Sequence, residues 1–291
     1  MPIHNSLTFM FFTPHSDDIE LGTPFVYLNA IRRGYNVIEV IMTNNQFGTT
    51  RKEFKGERLR KIRVKELANA NTMFEQGTNN KVKTIYMGYV DGTLPLNNQS
   101  IQRVADLIKK ERPDVIFTCD PWYAQDFHAD HLNTGRCVYF ALTRLKSSEM
   151  PKKVLYYYST STDYYIKCDW RDFPIVSNAL YEHKSQYSPL EVKFVIAFYN
   201  KLSLLRHLLE RRSVSESFRE QKIENNRPVP PENFNEMNLY KRLIFYSFST
   251  VTIWGSMNLI TATPEEIGLE NEFDLTDKLR EHDPRYNLRK K

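Results

Sequence analysis

The sequence predicts an α/β fold: a mostly parallel sheet flanked by helices, followed by an additional, mainly helical C-terminal region. Three observations predict it. As far as Trp170, short β-branched or aromatic runs alternate with longer helical patterns. Two of those runs end in clusters of His and Asp, and the carboxyl ends of strands are where open α/β sheets collect ligand groups. After Trp170 the alternation stops and apolar positions recur at helical spacing.

The elements follow in order. Leu7–Thr13 is a largely apolar run and reads as a buried strand. Glu20 to Arg33 reads as one helix stopped by Gly34. Asn36–Thr43, NVIEVIMT, is rich in β-branched residues and reads as the second strand. Arg51 to Phe74 is charged and helical, ending before Gly77. Val82–Tyr89 is the third strand. Ser100 to Arg112 is a helix with Ser100 as N-cap and Pro113 just past its end. Val115–Cys119 is the fourth strand and Asp130 to Leu145 the next helix. Val154–Thr160 and Tyr164–Trp170 read as strands that pair in a hairpin. Leu190 to Arg219 reads as one long helix or two packed ones, and Asn225–Pro231 as a breaker loop.

Composition narrows the class. The 291 residues are 41% hydrophobic and 26% charged, ordinary for a globular chain with a large core. The formal net charge is +5, and the basic residues occur mostly in pairs or interleaved with Glu, which reads as solvated surface; no nucleic-acid partner is expected. The three cysteines are widely separated and form no C-x-x-C, so a reducing compartment is expected. Residues 1–6 lack the basic start of a signal peptide, and cytoplasmic location is the default expectation. Leu243 to Ala262 carries no Asp, Glu, Lys or Arg, but its Ser, Thr and Asn content argues for a buried or oligomer-facing segment over a membrane span.

Two clusters carry chemistry. Thr13-Pro14-His15-Ser16-Asp17-Asp18-Ile19-Glu20 closes the first strand, placing one imidazole beside two adjacent carboxylates. Asp126-Phe127-His128-Ala129-Asp130-His131 follows the fourth strand. A catalytic zinc keeps three protein ligands and one open position. His15 and one carboxylate supply two ligands, and His128 or His131 the third. The carboxylate left over accepts a proton from water, and the remaining His serves the reacting carbonyl. Asp130 suits the orientation of an imidazole through its ring N–H.

These residues carry a resemblance. Pro14-His15-Ser16-Asp17-Asp18-Ile19-Glu20 is similar to the P-H-x-D-D-x-E signature of the PIG-L/LmbE family of zinc-dependent N-deacetylases. His128-Ala129-Asp130-His131 resembles that family's H-P-D-H, with Ala129 in place of Pro. Arg63-Val64-Lys65-Glu66 resembles its R-x-x-E, Gly88 to Leu94 its G-x-x-D-G-x-L, and Ala179 to Gln186 its A-L-x-x-H-x-S-Q. The resemblance spans roughly residues 6 to 187. It implies a Rossmann-like, LmbE-like catalytic domain over residues 1–187. Residues 188–291 form a largely helical extension, packed on that domain or at a homo-oligomer interface. It implies one Zn2+ or another divalent cation per chain, held by His15, Asp18 and His131. Asp17 is then the general base, and His128 the acid or oxyanion stabiliser, tuned by Asp130. Arg63 and Asp91 contact sugar hydroxyls. The implied reaction is removal of the N-acetyl group from an N-acetylglucosamine-type amino sugar or conjugate, by attack of a zinc-activated water.

Other readings accompany this one. The same residues would serve an amidase acting on a larger amide, such as a thiol conjugate or antibiotic intermediate. An inactive sugar-binding protein would hold no metal. Residue by residue, Arg63 and Glu66 also read as an exposed i,i+3 pair, Asp91-Gly92 as a turn, and His183 and Gln186 as core braces. The tyrosines at 156–158 and 164–165 read as ordinary sheet alternation.

Overall fold

A computed structural model describes residues 6–49, 51–124, 128–194, 215–229 and 239–240. Among these, the chain divides into two compact units, residues 1–91 with 164–217, and residues 92–163 with 218–291.

The first unit is built on β1 (Thr8–Thr13), β2 (Asn36–Thr43) and β3 (Lys83–Tyr89), with β1 parallel to β2 and β2 parallel to β3. Phe9 pairs with Val37 and Phe11 with Glu39. The segment read as one helix from Glu20 to Arg33 is two: α1 (Asp18–Gly22) and α2 (Pro24–Arg32), broken at Thr23. Pro24 explains the break, because it has no N–H to continue the ladder and its ring collides with the preceding turn, whereas it is welcome at the first turn of α2. Gly34 ends α2 with φ +72, the left-handed conformation the stop signal implied. The charged segment after Arg51 is also split: a short 3-10 turn, Lys52–Phe54, precedes α3 (Glu57–Phe74). Gly56 at φ +91 turns the chain between them. Tyr27 meets Phe11 and Phe74 edge-on at 5.0 and 5.2 Å between ring centres, joining α2, β1 and α3 in one core. Strand β6 (Tyr164–Lys167) and helix α6 (Phe173–Tyr181) complete this unit.

The second unit contains α4 (Asn98–Glu111), β4 (Val115–Cys119), α5 (Ala129–Leu142) and β5 (Lys153–Tyr157), with β4 parallel to β5. Helix α4 starts two residues earlier than the sequence suggested. Asn97 is its N-cap, accepting from Ser100 N at 2.9 Å while Ser100 Oγ accepts from Asn97 N, so Ser100 is the partner in a capping box rather than the cap. Gly135 lets α5 approach the end of β4: a Cβ there would sit 2.3 Å from the Cys119 carbonyl oxygen and 3.0 Å from Pro121 N. His131, one turn earlier on the same helix, is carried to the strand end by that close approach.

Two expectations fail in the remaining chain. Residues 189–194 are helical as read, but 215–220 form a strand, β7 (Ser215–Glu220), and not the end of a helix; residues 195–214 lie outside the described residues. Burial alternates through the start of β7, with Glu216 and Phe218 inward, a period of two that overrides helix propensity. The segments around residues 154–160 and 164–170 do not pair as a hairpin. Strand β5 instead has β4 as its parallel neighbour and β7 as its antiparallel one. The central sheet is therefore mostly parallel and flanked by helices, as the alternation of patterns implied. The breaker at Asn225 becomes a tight hairpin, β8 (Ile223–Glu224) and β9 (Arg227–Pro228), turned by Asn225 and Asn226 at φ 50 and 61. The uncharged stretch Leu243 to Ala262 lies outside the described residues. Among the described residues, no helix is long and apolar enough to cross a membrane.

Candidate functional site

In the first unit the site begins where β1 ends. Pro14 O accepts from Thr43 N at 3.1 Å and Thr43 Oγ1 at 2.9 Å, so the ends of β1 and β2 are tied together. Ser16 N donates to Asn45 Oδ1 at 2.9 Å, and Asn45 holds a left-handed φ of 55, a conformation Asn tolerates better than most residues. These bonds fix the turn that carries His15, Asp17 and Asp18.

His15 and Asp18 form one compact pair. His15 N donates to Asp18 Oδ2 at 2.8 Å, and His15 Nδ1 lies 3.4 Å from the same oxygen. The other ring nitrogen, Nε2, lies 3.2 Å from Asp91 Oδ1. Asp91 Oδ2 in turn accepts from Phe47 N at 2.8 Å and Gly48 N at 3.1 Å. Burial works against ionisation of Asp91, but the hydrogen bond and charge of His15, the Phe47 N–H and the Arg63 charge bring its carboxyl down to about 2. Asp91 was expected to bind a sugar hydroxyl. Its two oxygens hold the His15 ring and the 47–48 backbone, the arrangement by which a carboxylate orients a ligating imidazole.

Asp17 is held differently. Arg63 Nη2 donates to its Oδ1, and Tyr187 Oη donates to its Oδ2 at 2.7 Å. Burial would raise this carboxyl; the Arg63 guanidinium first, then His183, His15 and the Tyr187 hydroxyl, outweigh that and hold it well below the usual carboxylate range. Arg63 was also expected to contact sugar. It is 1% exposed. Its donors go to Asp17, to Ser16 Oγ at 3.0 Å, to Gly48 O at 3.4 Å and to Gln186 Oε1. The reading of Arg63 and Glu66 as an exposed pair fails: Glu66 is buried and accepts from Ser185 N and Ser185 Oγ, both at 2.7 Å. An i,i+3 spacing on a helix puts both residues on one face, and here that face is the inner one.

His183 and Gln186, which the sequence left among core braces, belong to this network. His183 Nε2 lies 3.1 Å from Glu20 Oε1 with both side chains buried. Burial alone would lower the His183 pKa, but the Glu20 carboxylate raises it above the usual imidazole value. Tyr187, one residue beyond the recognisable segment, was missed. Its only sequence signal is its position directly after Ser185-Gln186.

In the second unit, His128 is the N-cap of α5: its Nδ1 accepts from Asp130 N at 3.2 Å. In the neutral ring this assigns the proton to Nε2, leaving a donor on the other side. Asp130 accepts from Gly92 N at 2.6 Å and Leu94 N at 2.9 Å, binding the loop after Asp91 to the start of α5. The His131 ring stacks on Tyr158 at 5.6 Å and 12°, and its centre lies 5.1 Å from that of His128. Tyr158 has φ 53, rare for a large aromatic residue and a form of local strain typical of functional positions. The tyrosines do not alternate: β5 is buried on both faces, so Tyr156 and Tyr157 are both buried, and Tyr158 lies past the strand. Residues 125–127, Asp126 and Phe127 among them, lie outside the described residues.

Among the described residues, ligand atoms of His15, Asp18 and His131 all fall within 4.8 Å of one another, and those of His15, His128 and Asp130 meet the same limit. Two imidazoles and a carboxylate are a donor set that suits zinc.

Comparisons with known proteins bear on the family and the fold. Residues 10–142 match the family model described as PIG-L, GlcNAc-PI de-N-acetylase. Diacetylchitobiose deacetylase of Thermococcus kodakarensis is 28% identical over 123 residues, 42% of this chain; the match spans 44% of that relative's length. The structure of N,N'-diacetylchitobiose deacetylase from Pyrococcus horikoshii superposes with a TM-score of 0.66 at 22% identity, covering 75% of this chain and 85% of that one. GalB, the 4-carboxy-2-hydroxymuconate hydratase of Pseudomonas putida, superposes with a TM-score of 0.58 at 13% identity, covering 78% and 97%. Likeness at that level carries the fold and leaves the reaction to the residues of the site.

Proposed function

We propose that this chain, whose residues 10–142 match the PIG-L family model, is a metal-dependent hydrolase that removes the N-acetyl group from an N-acetylglucosamine-type amino sugar or its conjugate. The observation that carries the reading is the pair of adjacent carboxylates after β1. Asp18 shares its oxygen with His15, while Asp17 stands outside the His15–Asp18–His131 group and is kept anionic by Arg63. A ligand and a spare base at consecutive positions are what amide hydrolysis by water requires.

His15, Asp18 and His131 would hold the cation, which we take to be zinc, and Asp91 and Tyr158 would fix the two imidazoles. The cation would supply Lewis-acid polarisation of the amide carbonyl and lower the pKa of water. Asp17 takes a proton from the attacking water as its oxygen adds to the acetyl carbon. His128 donates from Nε2 to the carbonyl oxygen as negative charge develops there, or to the departing nitrogen. The C–N bond breaks, the amine leaves with a proton, and acetate and a free amino sugar result. The three cysteines are widely spaced and form no C-x-x-C, which supports a reducing, cytoplasmic setting.

Acetate release from N-acetylglucosamine and N,N'-diacetylchitobiose, wild type against Asp17→Asn, tests the reading. Asp17→Asn should lower the rate by about 10²- to 10⁴-fold, the usual contribution of a general base. Equal rates in the two proteins would sink it.

A further inference from the structure

We propose that Tyr187 is a positioning residue for Asp17, held in place by a strap, residues 183–187, that anchors to α1 and α3. This rests on the reading of Asp17 as the proton acceptor. A carboxylate held at one oxygen turns about its terminal torsion, which is broad and soft. Asp17 is held at both: Oδ1 by Arg63 Nη2 and Oδ2 by Tyr187 Oη at 2.7 Å. Two donors on two oxygens define the plane of the group. A carboxylate has about four lone-pair directions, so two remain for an incoming proton.

The strap explains why the tyrosine sits where it does. Its backbone closes a turn, with Gln186 N and Tyr187 N both donating to His183 O at 3.0 Å. His183 is pinned by Glu20 at 3.1 Å, Ser185 by Glu66 through both N and Oγ at 2.7 Å, and Gln186 by Arg63. Thr49 Oγ1 also donates to Ser185 O at 2.7 Å, joining the 44–49 loop to the same strap. Gln186 and Tyr187 are neighbours in sequence, and Arg63 and Asp17 are neighbours in space. The four residues therefore close a ring of hydrogen bonds: Asp17 to Arg63, Arg63 to Gln186, and Tyr187 back to Asp17. Asp17 and Arg63 are both buried, so the ion pair at the centre of the ring is shielded from competing water. A tyrosine needed only for packing would not require its hydroxyl to meet the one carboxylate outside the ligand group.

Tyr187→Phe keeps the ring and removes the hydroxyl. It should lower kcat about 10-fold or more, the lower end of what proper placement of a base contributes. KM should stay within about twofold, and metal content and Tm near wild type. A crystal structure of the variant should show the Asp17 carboxylate turned from its wild-type plane. An unchanged kcat, or a change confined to KM, overturns the proposal; so does loss of metal or of thermal stability in step with activity, which marks a structural role. If the wild type hydrolyses no N-acetylated sugar, the functional reading fails, and the orientation of Asp17 in the two crystal structures decides the positioning claim alone.

Discussion

Arg63 donates to Asp17 across 46 positions of sequence, with both side chains almost completely buried. The same guanidinium serves Ser16 and Gln186. A lysine has one compact head group and cannot span three partners set in a fork. Arg63→Lys should therefore cut kcat about 100-fold with little change in KM, an effect of the size produced by misplacing a catalytic group. An arginine that bound sugar hydroxyls would instead raise KM. Arg63→Met should also destabilise the fold by about 3–5 kcal/mol, because it leaves Asp17 buried without its counter-charge.

Asp91 touches His15 Nε2 and the backbone of Phe47 and Gly48. Asp91→Ala should weaken metal affinity by about 10- to 100-fold, as loss of a carboxylate behind a ligating imidazole does. Asp18→Ala should abolish stoichiometric metal altogether. Elemental analysis of the purified proteins reads both, and dialysis against a chelator followed by zinc addition should remove and restore activity in the wild type only. Wild-type protein purified and reconstituted without metal uptake would contradict the ligand set.

The His183–Glu20 pair makes stability depend on pH. The folded pKa of His183 is raised, so its stabilising contribution is fully present below the unfolded value of about 6.5 and is lost as pH rises through the folded value. The Tm gap between wild type and His183→Asn should be widest below pH 6.5 and shrink steadily above it. A gap that widens toward alkaline pH would reverse the sign and exclude the charged pair.

Asp120 and Arg219 join the end of β4 to β7. Arg219 Nε and Nη2 donate to the two oxygens of Asp120 at 2.7 and 2.8 Å, and the guanidinium stacks over Tyr123 and Tyr156 at 4.9 and 4.5 Å. Asp120 also accepts from Trp122 N and Tyr123 N, both at 2.9 Å. Asp120→Asn should cost about 3–5 kcal/mol in denaturant titrations, since Arg219 stays buried and loses its partner. Burial opposes the charge on Asp120, but Arg219 lowers its pKa. The pair's contribution is therefore present above the unfolded carboxyl value of about 3.9 and lost as pH falls through the lower folded value. The difference between wild type and variant should be flat through neutral pH and close only in strong acid.

Periodicity made the core strands readable. Asn36–Thr43 and Val115–Cys119 are β-branched runs of strand length between turn signals, and both are strands as read. Pro24 was visible too, but a helical pattern on both sides concealed that it divides α1 from α2. The strand at Ser215–Glu220 was hidden by its polarity. Glu216 is buried because it accepts from Phe25 N, Val26 N and Thr23 Oγ1 at the start of α2, and no rule of hydrophobic alternation marks a buried acid as inward-facing.

By itself, the sequence determined which residue types the chemistry has at hand: an imidazole and paired carboxylates after one strand, and a His-x-Asp-His cluster after another. Those are local facts, carried by spacing of a few residues and by the strands before them. Only the tertiary structure decided what Arg63, Asp91, His183, Gln186 and Tyr187 do. Each acts through a partner 46 to 170 positions away or through a loop brought to it by the fold, as Asp91 does with Phe47 and Gly48. A buried polar side chain takes its role from whatever donor or acceptor burial forces on it, and that partner is set by how helices α1 and α3 pack, not by the neighbouring letters.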